Sequence, residues 1–148
     1  MLLNLTNVAV YVPEVVSSWT NLGGTTAAFD GNGGTGNVYN AKADWDAQAT
    51  MPLQHVGKPV RSLTYYYVND SINYGKKVRF LDLYYWDGAK WVFHKTFNSS
   101  VPSVGGPSSE THELAEYMPN PTGRIRVVGR GSWDQYSYRW VSEIRVTV

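Results

Sequence analysis

Apolar and polar residues alternate along most of this chain, and helical spacing is almost absent. Alternation with period two puts successive side chains on opposite faces of a strand. Val60 to Val68, rich in β-branched and aromatic residues, predicts one strand. Val78 to Trp86 predicts a second, with Val78, Phe80, Tyr84 and Trp86 on one parity. Asp82 interrupts that parity, which leaves the inward face open there. Asp87-Gly88 marks a hairpin, and Trp91 to Phe97 forms the return strand. Arg124 to Val128 predicts a fourth strand, with Ile125 and Val127 facing one way. Arg139 to Val148 predicts a fifth, with Trp140, Ile144 and Val146 on one face and Glu143 and Arg145 on the other. Leu5 to Val12 adds an N-terminal strand. On this pattern Tyr66, Phe80, Trp86, Trp91, Phe93 and Trp140 belong to strand alternation and the core.

Between these runs, Gly31 to Asn40 is rich in Gly and Asn and predicts a loop. Asn98 to Ser109 is a Ser/Pro/Gly connection. Ser109 to Tyr117 fits either a helical turn capped by Ser109 or a short strand. No internal repeat occurs, and no linker separates two cores. Residues 1–148 therefore predict one all-β domain, most simply a jelly-roll β-sandwich.

Composition narrows the chemistry. The chain has 148 residues, enough to bury a core, and no cysteine. That removes disulfide frameworks, zinc-thiolate sites and cysteine nucleophiles. Thirteen basic and twelve acidic residues leave a net charge of +1, without the basic surplus of a nucleic-acid binder. No apolar run approaches the ~18 residues of a membrane span. Met1-Leu2-Leu3-Asn4 lacks the basic and apolar regions of a signal peptide. What stands out is four Phe, six Trp and eleven Tyr, side chains that suit both sandwich cores and binding surfaces.

Several segments, in order, resemble one family. Ala27-Ala28-Phe29-Asp30-Gly31-Asn32-Gly33-Gly34-Thr35 is similar to the A-x-D-G-x-x-x-T loop of galactose-binding-like, discoidin-like jelly rolls. These include the coagulation-factor C-type domains and many carbohydrate-binding modules. The segment from Pro52 to Leu63 resembles the family's strand, Gly-containing turn and following strand. Tyr85-Trp86-Asp87-Gly88-Ala89-Lys90-Trp91 is similar to its S-x-D-G-x-x-W hairpin. Gly123-Arg124-Ile125-Arg126-Val127 and Trp140-Val141-Ser142-Glu143-Ile144-Arg145-Val146 resemble its last strands. Asn37 stands where the family often has Trp, and the inter-terminal cysteines of animal members are missing. The resemblance implies a galactose-binding-domain-like fold. It also implies a structural calcium ion held by Asp30, Gly33, Thr35 and Glu143. The hard oxygen donors and a loop able to aim carbonyls suit calcium. The alternative is a metal-free turn in which Asp30 caps its own loop.

In this architecture ligands meet the loops at one end. Three loops carry suitable side chains: Asn37 to Asn40 with Trp45, Asn69 to Tyr74, and Arg130 to Tyr138. A sugar needs an aromatic face for its apolar side and planar polar groups for its hydroxyls. Arg130, Trp133, Tyr136, Asn73 and Tyr74 supply both; alternatively, Trp133 packs into the sandwich edge.

No catalytic constellation emerges. His55, His94 and His112 sit in different segments, and His112-Glu113 lacks the second His of H-E-x-x-H. Glu110, Glu113 and Glu116 suit a solvated helical or turn face rather than an acid/base pair. Two non-enzymatic functions follow. One is a module that binds carbohydrate or a cell or particle surface. The other is a virion structural protein, a phage capsid decoration or tail component, which a self-contained chain starting at Met1 favours. Expected partners are a glycan or protein surface, with a homo-oligomer (a trimer for a virion protein) in the second case. An extracellular or virion-surface location goes with either.

Overall fold

The structure, a computed structural model, describes residues 11–33, 39–68, 76–103, 106–133 and 138–148. The chain order of strands is β1 Val15–Val16, β2 Thr20–Gly24, β3 Tyr39–Ala41, β4 Trp45–Thr50, β5 Val60–Tyr66 and β6 Val78–Trp86. Then come β7 Trp91–Asn98, β8 Ser109–Met118, β9 Arg124–Ser132, β10 Arg139–Val141 and β11 Glu143–Thr147. Short 3₁₀ turns occupy Thr26–Phe29 and Leu53–His55. Among the described residues no helix is long and apolar enough to cross a membrane.

Two antiparallel sheets result. One has the order β1-β11-β5-β8, the other β2-β4-β9-β6-β7. A small β10-β3 ribbon closes one end. The core lies between the sheets. Trp45, Ala47, Ala49, Leu81, Leu83, Ile125 and Val127 face inward from the five-stranded sheet. Leu63, Tyr65, Leu114, Met118, Ile144 and Val146 oppose them. The Trp45 and Tyr65 rings meet across the gap with centroids 6.4 Å apart. Burial of each such side chain contributes about 1.5–3 kcal/mol. This is the β-sandwich that alternation predicts.

The hairpin strands β6 and β7 fall where the pattern places them, and Ser109 to Tyr117 is a strand rather than a helical turn. Glu110, Glu113 and Glu116 therefore lie on β8. Other expectations change. The run Arg139 to Val148 divides at Ser142, because β10 pairs with β3 whereas β11 pairs with β5 in the four-stranded sheet. Tyr39 and Asn40 are strand rather than loop. Tyr11 and Val12 are not in a strand, and residues 5–10 lie outside the described ones.

The largest correction concerns the aromatics. On β6 the inward residues are Leu81 and Leu83, because the register pairs them with Gly129 and Val127 of β9. Phe80, Tyr84 and Trp86 therefore face out, joined by Trp91 and an exposed Phe93. Tyr66 is half-buried, not core. The aromatic core is Phe29, Trp45, Tyr65, Tyr67, Phe97 and Trp140. Trp45, expected beside a binding loop, is fully buried.

Candidate functional site

One end of the sandwich gathers the chain's long connections. β5 ends at Tyr66, opposite the first residues of β11 and β8. β6 begins at Val78, opposite Ser132, the last residue of β9. Backbone bonds tie the β10 segment into this end: Trp140 N–H donates to the Lys76 carbonyl at 2.9 Å and Ser142 N–H to the Tyr66 carbonyl at 2.9 Å. Buried Tyr65 adds a tie, its hydroxyl donating to the Trp140 carbonyl and accepting from Val78 N–H. The second and third predicted loops therefore leave from one place. Asp44 joins the first loop to it, accepting from Gly131 N–H at 3.0 Å and pairing with Arg139 Nε at 3.0 Å.

Trp133 stands at this end, half-buried. Its Nε1–H donates to Ser99 Oγ at 2.8 Å, and the Ser99 hydroxyl donates to the Val78 carbonyl at 2.6 Å. The ring carries the Arg79 guanidinium 4.7 Å from its centroid, and Arg79 also lies 5.5 Å from Phe80. Arg130 sits 5.0 Å over Phe80 from the outer sheet face. Trp133 and Arg130 are thus linked through Arg79 and Phe80.

Arg130 is committed to Asp82. Its Nε pairs with one carboxylate oxygen, and Nη2 donates to the other at 3.0 Å. Thr96 Oγ1 donates to the same carboxylate at 2.6 Å. Burial raises the Asp82 pKa, but the Arg130 and Thr96 hydrogen bonds outweigh it and hold the carboxyl below its ordinary range. The Asp82 that breaks strand parity is therefore the partner of Arg130. Tyr136, Asn73 and Tyr74 lie outside the described residues.

Beside Tyr39–Ala41, Tyr138 receives two ammonium groups, Lys76 at 4.7 Å and Lys42 at 5.2 Å from its centroid. Lys76 also lies 5.3 Å from the Trp140 ring. Such contacts are worth about 0.5–1 kcal/mol when exposed.

Beneath the loops lies a network that sequence reading missed. Lys77 is fully buried and approaches Glu110 at 3.7 Å, Ser100 Oγ at 3.0 Å and the Tyr67 hydroxyl at 3.5 Å. Glu110 accepts from Ser100 N–H at 3.0 Å and Ser100 Oγ at 2.8 Å, and faces His112 Nε2 at 3.6 Å. Burial pushes the Glu110 carboxyl up, but His112, Ser100 and Lys77 together pull it down to about 2. Burial also lowers the Lys77 pKa and pushes Tyr67 up to about 12. A lysine following another lysine at a strand start carries no signal of burial, so sequence alone had nothing to flag.

Of the predicted calcium ligands, Asp30 and Glu143 come together; Gly33 lies against the Tyr66 ring and the Arg145 guanidinium, and Thr35 lies outside the described residues. Glu143 is fully buried, and among the described residues neither oxygen has a well-formed hydrogen bond. Burial, then the adjacent Asp30 carboxylate, push its pKa up to about 8, against the pull of Arg145 and the Asn32 backbone N–H. Asp30 Oδ1 accepts from Asn32 N–H at 2.8 Å, the Asx turn that the metal-free alternative expects. Among the described residues no three His, Cys, Asp or Glu side chains gather at one point. A cation here would rest on two carboxylates and backbone carbonyls, which is within calcium's habits.

No protein-family model matches the sequence, and no curated protein matches it. Solved structures do. The family 32 carbohydrate-binding module of C. perfringens NanJ, in complex with galactose, matches with a TM-score of 0.65 over 93% of this chain and 100% of that one, at 8% identity. The family 32 module of Streptococcus pneumoniae EndoD gives 0.66 over 90% and 98%, at 12% identity. The chain has a galactose-binding-like fold. A truncated AlyQ with CBM32 and alginate lyase domains also shares it, with a TM-score of 0.62 and 13% identity over 93% of this chain. The galactose-binding-like chain spans 34% of that longer protein.

Proposed function

We propose that the chain is a non-catalytic carbohydrate-binding module that takes a sugar at the loop end of the sandwich. The observation that carries this is Trp133: a half-buried indole, fixed by Ser99 and flanked by Arg79, where the long connections meet. An aromatic face beside a planar cation suits a pyranose ring, whose C–H face packs on the indole while its hydroxyls meet the guanidinium. The solved structures of like fold include a module in complex with galactose, which supports a galactose-type ligand. Arg130 acts as a positioning residue, since Asp82 already occupies its fork. Asn73, Tyr74 and Tyr136, which lie outside the described residues, are the further ligand-binding candidates of this reading. An extracellular glycan is the natural partner of such a module.

Calcium has a structural part in this reading. Asp30, Glu143 and the Gly33 carbonyl, with Thr35, would hold it. Two adjacent carboxylates, one of them buried, fit a divalent cation. The ion would neutralise them and clamp the Asp30 loop to β11. A glycan array of the wild type and Trp133→Ala tests the function. Galactose-terminated glycans should retain the wild type and release the variant; equal retention of both would sink the assignment.

A further inference from the structure

The outer face of the five-stranded sheet has a chemistry that the loop-end reading leaves unused. Three arginines on one face of β9 each lie over an aromatic ring. Arg130 stands 5.0 Å from Phe80, Arg126 5.1 Å from Tyr84 and Arg124 4.6 Å from Trp86. Strand β7 widens the strip: Trp91 meets Trp86 edge-on at 5.3 Å, and Phe93 meets Tyr84 edge-on at 5.5 Å. Phe93 is 54% exposed, a large apolar ring open to solvent.

Two of these arginines hold a carboxylate. Arg130 has Asp82, and Arg126 Nε lies 3.0 Å from both oxygens of Asp46. Arg124 breaks the series. It lies over Trp86 and, at 5.5 Å, over Trp91, yet among the described residues no carboxylate comes within 4.0 Å of it. Its Nε is buried without a hydrogen-bond partner. The fold thus places a guanidinium on a ring three times and adds a carboxylate to two of them.

We propose that the Trp86–Trp91–Arg124 end of this face is a second glycan surface, selective for a carboxylate-bearing sugar such as a uronate. Arg124 is held against the Trp86 and Trp91 rings, so a ligand carboxylate meets a pre-positioned guanidinium at small entropic cost. Trp91 and Phe93 offer platforms for the adjoining sugar rings. The Thr50 strand position, paired with Arg124, places a hydroxyl-bearing residue at the rim. This surface is separate from the loop end: Val78 and Trp86 are eight steps apart on β6, roughly 26 Å at ~3.3 Å per residue. The inference rests on the carbohydrate reading but not on the loop-end site.

The test is calorimetric titration of four proteins: wild type, Arg124→Gln, Phe93→Ala and Trp133→Ala. The probes are a galacturonate hexamer, its methyl ester and galactose. The wild type should bind the hexamer at least tenfold more tightly than the ester. Arg124→Gln should lose at least tenfold for the hexamer and nothing for galactose, and Phe93→Ala should weaken the hexamer severalfold. Trp133→Ala should keep the hexamer and lose galactose. Phe93 is mostly solvated, so its variant keeps the fold even if Arg124→Gln does not. Equal binding of acid and ester, or of wild type and Phe93→Ala, overturns the proposal. So does a stable oligomer of the wild type that Phe93→Ala dissolves, because the face would then belong to a second copy. Galactose failing with every protein while the hexamer behaves as stated defeats only the loop-end site.

Discussion

The Trp45 indole lies across Gly129, its cross-strand partner, and fills the space that any side chain there would need. A Cβ at Gly129 would overlap the ring. The pair sits just below the loop end, where Trp45 also meets Tyr65 of the opposite sheet. It explains why a tryptophan beside a polar loop belongs to the core: β9 leaves a hole of matching shape.

Gly129→Ala should therefore destabilise the fold by about 1–3 kcal/mol, since overpacking displaces a ring held on both sides. Thermal denaturation checks this, with a drop of several degrees expected. Combining it with Trp45→Phe should recover part of the loss. A variant as stable as the wild type would show that the indole does not occupy this space.

Calcium should raise the melting temperature. A ligand at one hundred times its dissociation constant stabilises by ~2.7 kcal/mol. Asp30→Asn should remove the rise while leaving the chelated protein's melting point nearly unchanged, because the amide oxygen can still accept from Asn32 N–H. Differential scanning calorimetry with calcium and with chelator measures both. No response of the wild type to calcium would contradict the clamp.

Acid should weaken the fold in a defined window. Glu110 titrates at about 2 in the folded chain against an ordinary value near 4.5, so the folded state favours the carboxylate. Its contribution is present above pH ~4.5 and is lost as pH falls through that value toward 2. Glu110→Gln should flatten the loss between those limits, as read by urea unfolding at a series of pH values. Lys77→Met leaves Glu110 its Ser100 and His112 partners but removes its buried cation, and should cost on the order of 3 kcal/mol at neutral pH. An unchanged pH profile in Glu110→Gln would remove this network from the stability account.

The sheet frame was legible where β-branched and aromatic runs ended in turn residues, as at Val78 to Trp86 and its Asp-Gly hairpin. β2 was not, because Thr20-Asn-Leu-Gly-Gly has no alternation. β4 was hidden by its own packing: Ala47 and Ala49 are small because they face a crowded interior. Which parity of β6 points inward could not be read, since both are apolar. Register with β9 decides it, and arginines on the outer face make exposed Phe80, Tyr84 and Trp86 tolerable there. Asp30 and Glu143 were found through the family loop and last strand; Lys77 and Glu110 were not, because no local pattern marks a buried ion pair.

The central claim is that a sugar binds at the loop end against Trp133. The most direct measurement is a galactose titration followed in ¹H–¹⁵N spectra through the six indole resonances, assigned by Trp→Phe variants. A saturating shift of the Trp133 Nε1–H, with Trp86 and Trp91 unmoved and binding absent in Trp133→Ala, is the predicted result. A still Trp133 resonance at millimolar galactose, or shifts confined to the outer sheet face, would contradict the account.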